Sequence, residues 1–157
     1  RGIRASQAMV EPLIEREVGR GVPRSRIVLA GFSQGGAITL HTGLRQPQPL
    51  AGLIALSCYL PLADSFAREA APASRAVPVF MAHGTQDPVV PLSRAESSRT
   101  LLAGLGYPVE WHPYAMPHAV CAQYTPPLHG RQSPSHATGY DHLSASGATI
   151  WARVRIV

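Results

Sequence analysis

Arg26-Ile27-Val28-Leu29-Ala30-Gly31-Phe32-Ser33-Gln34-Gly35-Gly36-Ala37 is the stretch whose reading decides the fold of this chain. From Ile27 to Ala30 it is an uninterrupted apolar run, which predicts a strand buried in a parallel sheet. Residues 31–36 form a glycine-rich turn, and residues 37–44 predict a helix that ends near Pro47. Strand, tight turn and helix thus follow one another with almost no loop between them.

The pattern recurs outward. Residues 52–57, residues 78–83 and Val109–Tyr114 are further strand candidates, and residues 93–105, closed by Gly104 and Gly106, are a further helix. Upstream, residues 5–18 predict an amphipathic helix with Met9, Leu13, Ile14 and Val18 on its apolar face. Pro12 marks a kink or a late start, and Gly19 and Gly21 end this helix. Asp64 is placed as the cap of a short helix over residues 65–70. Strands alternating with helices predict an α/β fold with a mostly parallel sheet and flanking helices. Residues 122–157 differ: they hold one acidic residue, Asp141, with His129, His136, His142 and several Pro and Gly. Residues 122–149 are expected to be mostly loop or disordered, and strand-like alternation returns at residues 150–157.

Composition narrows the function. With 157 residues there is room for one domain. Hydrophobic residues make up 45% and charged residues 15%, enough for a core. All 14 basic residues are Arg, and with no Lys the chain can hold neither a Schiff-base lysine nor a phosphate-loop lysine. The Arg residues are scattered and aromatics are only 6%, which argues against nucleic-acid binding despite a net charge of +5. No apolar run reaches the ~20 residues of a membrane span, and the first residues lack an apolar leader, so a cytoplasmic location is expected. No pair of cysteines has metal or redox spacing, and neither a metal nor a cofactor is expected.

Gly31-Phe32-Ser33-Gln34-Gly35 fits Gly-x-Ser-x-Gly. With Gly and Ser each near 7% of residues, this arises by chance about once in 3,000 positions. Here it lies between a predicted strand and a predicted helix, the context in which a sharp turn lifts a Ser hydroxyl clear of a sheet. A Ser nucleophile needs a base, and the base an orienting acid. Asp87 follows the third strand and His118 the fourth, so Ser33, Asp87 and His118 are all expected at the carboxyl edge of the sheet, where α/β folds build their sites. The order Ser, Asp, His is that of α/β-hydrolases. His83 reads either as a packed core residue or as a neighbour of the site, and His112 as lying within a strand. Cys58 reads as a buried small hydrophobe.

The segments Arg26 to Ala37, Leu56-Ser57-Cys58-Tyr59-Leu60-Pro61-Leu62, His83-Gly84-Thr85-Gln86-Asp87-Pro88-Val89-Val90-Pro91 and Tyr114-Ala115-Met116-Pro117-His118-Ala119-Val120-Cys121 together resemble the serine carboxylesterase and acyl-protein thioesterase family. The resemblance covers residues 1–121 and implies Ser33 as nucleophile, Asp87 as acid, His118 as base and the Gln34 N–H as an oxyanion donor. It further implies an acyl pocket near Tyr59, Leu60, Val90 and Met116, a small ester, thioester or lysophospholipid substrate, and no cofactor. Only 30 residues precede Gly31, so the N-terminal strands of such a fold and the second oxyanion loop are expected to be lacking. The register of the family is lost after Cys121, as a shifted reading frame would cause. The first strand is then expected to be an exposed apolar edge that favours a homodimer. An impaired fragment that only associates is the alternative to an active hydrolase.

Overall fold

Strands β1 (Ile27–Phe32), β2 (Gly52–Leu56), β3 (Val79–Gly84) and β4 (Val109–Tyr114) alternate with helices α1 (Ile3–Gly19), α2 (Gln34–Gly43), α3 (Ala63–Glu69) and α4 (Leu92–Gly104). The computed structural model describes residues 2–120 and the backbone of residues 141–145 and 148–154. The four strands pair in parallel, with Phe32 beside Leu56, Leu56 beside Ala82 and Ala82 beside His112. This register brings their carboxyl ends to a common edge, so the loops that follow them meet there.

The apolar runs fold this way because both faces of a parallel strand need apolar cover. β3 is buried along its whole length. One face packs into a continuous core with Val10 and Ile14 of α1, Ile38 and Leu40 of α2, Leu44 just beyond it, Phe66 of α3 and Leu102 of α4. The other face carries a smaller cluster of Phe80 and Ala82 with Ile54, Leu56, Tyr114 and Met116, to which no residue of α1–α4 belongs.

Three local expectations are corrected. In α1 the core-facing residues are Val10 and Ile14, while Met9 is 57% exposed. Pro12 interrupts nothing: it sits on the exposed side of an unbroken helix, where the loss of one backbone bond is offset by the packing of its neighbours. Asp64 does not cap α3; Leu62, at φ 53°, occupies that position and Asp64 lies in the first turn, where its charge favours the helix dipole.

The edge beyond β1 is also not open. Strand β6 (Ala148–Val154) pairs antiparallel with β1, from Ile27 beside Val154 to Phe32 beside Thr149, and β5 (Asp141–Ala145) pairs antiparallel with β6. The order is therefore β4-β3-β2-β1-β6-β5. With the backbone groups of β1 paired on both sides, the bare edge on which a homodimer was expected is absent. β5 falls within the stretch expected to be loop, whereas residues 121–140, among them Cys121, His129 and His136, lie outside the described residues. No helix among the described residues is long and apolar enough to cross a membrane.

Helix α2 is buried through almost its whole length, and it carries His41 inside, fully shielded and with neither ring nitrogen hydrogen-bonded. Burial, reinforced by the nearby Arg45 charge, lowers its pKa to about 4 from the ordinary 6.5. An unfolded chain takes up this proton near pH 6.5 while the folded chain resists it, so stability is full above 6.5 and falls as the pH drops toward 4. The loss approaches roughly 3 kcal/mol from this one group. Urea midpoints measured across that window should fall with acidification, and His41→Leu should flatten the slope. An unchanged slope would refute the assignment.

Candidate active site

The turn from β1 into α2 is made by Ser33 alone. Its backbone sits at φ 54° and ψ −120°, a strained conformation for a residue with a side chain. Two bonds hold it there: the Ser33 N–H donates to the Leu56 carbonyl at 2.8 Å, and the Ser33 carbonyl accepts the Ala37 N–H at 3.1 Å. The crossing is so close that a Cβ at Gly31 would lie 2.2 Å from the Gly35 carbonyl, and one at Gly36 would lie 2.6 Å from Cys58 Sγ. Cys58 is a buried packing partner of the turn, and burial pushes its thiol pKa far upward.

The loops after β3 and β4 deliver the other two groups. His118 Nε2 lies 2.9 Å from Ser33 Oγ, and His118 Nδ1 lies 2.6 Å from Asp87 Oδ2. The Asp87 side chain is wholly shielded from solvent, whereas that of His118 is 15% exposed. Asp87 Oδ1 accepts the N–H groups of Val89 and Val90, each at 2.8 Å. Burial pushes the Asp87 pKa up, but the hydrogen bond from His118 and those from Val90 and Val89 outweigh it, and the net shift is downward. A carboxylate so held stays ionised at neutral pH and fixes the imidazole with a proton on Nδ1, leaving Nε2 to accept from the hydroxyl. Phe32 packs against the other side of this imidazole, with ring centroids 4.7 Å apart.

The two loops are laced to each other. Thr85 N–H donates to the Tyr114 carbonyl and Gln86 N–H to the Met116 carbonyl. A Cβ at Gly84 would sit 2.2 Å from the Met116 oxygen and 2.6 Å from the Pro117 oxygen, so only glycine permits the approach. Gln34 opens α2, and its N–H belongs to the first turn, where helix amides have no acceptor within the helix.

The residues expected to line an acyl pocket divide. Tyr59 is half-buried beneath the Arg94 guanidinium, 3.8 Å from its ring centre, and Met116 is half-buried beside Phe80. Leu60 is a core residue, 3% exposed, with its N–H bound to Ser98 Oγ. Val90 is likewise buried and contributes its backbone to Asp87, while its neighbour Val89 is 63% exposed. A groove of about 410 Å³ lined by Val28, Ile54, Phe80, Val109 and Glu110 lies toward the amino ends of the strands, away from these groups. Sequence reasoning missed Phe32, whose position in the motif tolerates any residue, and the backbone role of Val90, which no side-chain pattern can show.

Gly84→Ala should part the two loops and lengthen the His118–Asp87 contact while leaving the sheet folded. Labelling of Ser33 by a fluorophosphonate, followed by mass spectrometry, should slow by about 10²-fold, the usual consequence of a displacement near 1 Å. An unchanged labelling rate would show that the close approach has no bearing on the site.

A family model described as phospholipase/carboxylesterase matches residues 1–125. Acyl-protein thioesterase 1 of Gibberella zeae is 46% identical over 115 residues, covering 72% of this chain and 49% of that protein. Acyl-protein thioesterase 1 of Neurospora crassa is 45% identical over 126 residues, covering 78% and 51%. The chain thus spans about half the length of these curated relatives. Among solved structures, Arabidopsis thaliana SOBER1 superposes with a TM-score of 0.74 at 25% identity over 78% of this chain and 59% of its own. Esterase PE8 does so with a TM-score of 0.73 at 29% identity, over 78% and 57%. By its sequence, its sheet and its strand-to-helix turn, the chain belongs to the phospholipase/carboxylesterase family of α/β-hydrolase fold.

Proposed function

We propose that this chain is the catalytic part of a serine ester hydrolase, seated in residues 1–121, that cleaves small carboxylic esters through an acyl-enzyme. The observation that carries the reading is the unbroken row from Ser33 Oγ to His118 at 2.9 Å and from His118 to Asp87 at 2.6 Å. His118 Nε2 takes the proton of Ser33 as Oγ attacks the ester carbonyl, and Asp87 stabilises the imidazolium that forms. The Gln34 N–H donates to the oxyanion of the tetrahedral intermediate. His118 then gives its proton to the departing alcohol. In the second half it takes a proton from water, which attacks the acyl-Ser33, and returns that proton to Ser33 Oγ as the acid leaves. In this reading Tyr59, Met116 and the exposed Val89 meet the acyl group.

Thioesters are the next substrate class, since two relatives of this chain are named acyl-protein thioesterases. The chemistry is the same, with a thiol in place of the alcohol as leaving group.

Hydrolysis of p-nitrophenyl butyrate should be detectable with the wild-type chain and abolished in Ser33→Ala. Asp87→Asn should lower kcat by about 10⁴-fold, because the neutral amide no longer holds the imidazole in its productive tautomer. Equal rates for the wild type and Ser33→Ala would reduce the chain to a non-catalytic remnant.

A further inference from the structure

His83 is buried, and the reaction as described does not use it. It is the penultimate residue of β3, its side chain is 1% exposed, and its ring faces Trp111 of β4 at 6.5 Å between centroids. Its Nε2 lies 2.9 Å from the Val90 carbonyl oxygen. A carbonyl only accepts, so Nε2 carries the proton. Val90 is the residue whose own N–H grips Asp87 Oδ1. The same Nε2 lies 3.5 Å from Asp87 Oδ2, the oxygen that receives His118. The Nδ1 atom is buried without a hydrogen-bond partner, a cost that an apolar ring filling the same space would not carry.

We propose that His83 is a positioning residue: by clamping the Val90 carbonyl it closes the loop of residues 84–91 and holds the Asp87 carboxylate in line with His118. One ring nitrogen ties the end of the loop to the strand from which it starts. The closed loop turns the Val89 and Val90 amides inward, and these fix one carboxylate oxygen so that the other faces the imidazole. The kinetic consequence of this arrangement rests on the esterase reading above, but the structural one does not.

The test is proton NMR with ¹⁵N-labelled histidine on the full chain, beside kinetics with p-nitrophenyl butyrate. Wild-type His83 should appear as the Nε2–H tautomer, and the His118 Nδ1–H bonded to Asp87 should give a low-field resonance. His83→Phe should broaden or erase that resonance and lower kcat by about 10²-fold, with KM changed by less than about threefold. His83→Gln, which keeps an N–H near the Val90 carbonyl, should retain the resonance and most of kcat. A proton on Nδ1 of His83, a missing low-field resonance in the wild type, its survival in His83→Phe, or equal losses in both variants would overturn the proposal. The tautomer decides even where His83→Phe does not fold. An inactive wild type showing both signals, with the resonance lost in His83→Phe and kept in His83→Gln, would refute the esterase reading and support the clamp.

Discussion

The strand β1 has to become the helix α2 at a single residue, and the rest of the structure is arranged around that constraint. Ser33 carries the whole reversal at φ 54°, a conformation that costs of order 1–3 kcal/mol for a residue with a Cβ. The neighbours make it tolerable by giving up their own side chains: Gly31 has Gly35 against it, and Gly36 has Cys58. The Leu56 carbonyl then anchors the Ser33 amide from the adjacent strand. The hydroxyl is left standing above the sheet edge, beside the start of a helix, where amides and dipole both favour negative charge.

Around that fixed point, burial and ionisation are set against each other. Asp87 is closed to solvent, which by itself would neutralise it, and two backbone amides and an imidazole keep it charged. The same balance recurs at the surface: hydrogen bonds from Ser65 and Arg45, aided by the Arg4 charge, hold the Glu69 pKa down to about 2 and tie α1, the end of α2 and α3 together. His41 is the opposite case, a titratable ring buried without a hydrogen bond: burial and the Arg45 charge outweigh the pull of Glu69, and at neutral pH the ring stays uncharged.

Much of this was legible in the sequence wherever the signal is local. The strands are continuous apolar runs, Gly-x-Ser-x-Gly names the turn, and Asp87 and His118 follow strands whose register then aligns them. Signals that depend on phase or on distant pairing were less readable. Met9 and Val10 are adjacent apolar residues, and a rotation of 100° decides which is buried, so Met9 reads as core in place of Val10, while Ile14 and Val18 do face the core as expected. The positive φ values of Ser57 and Leu62 leave no mark, since neither is glycine. The partner of β1 on its open side lies more than a hundred residues downstream, at Ala148–Val154, and nothing local to β1 announces it. The family resemblance places Leu60 and Val90 in a pocket, and only packing shows that both side chains are buried.

The central claim is that Ser33, His118 and Asp87 act as one unit on an acyl centre, and the most direct measurement is a crystal structure of the chain after reaction with a small alkyl fluorophosphonate. The account requires continuous density from Ser33 Oγ to phosphorus, the phosphoryl oxygen facing the Gln34 N–H, and His118 still bonded to Asp87. Reagent attached to any other side chain, or an unmodified Ser33 with the imidazole turned away, would contradict it.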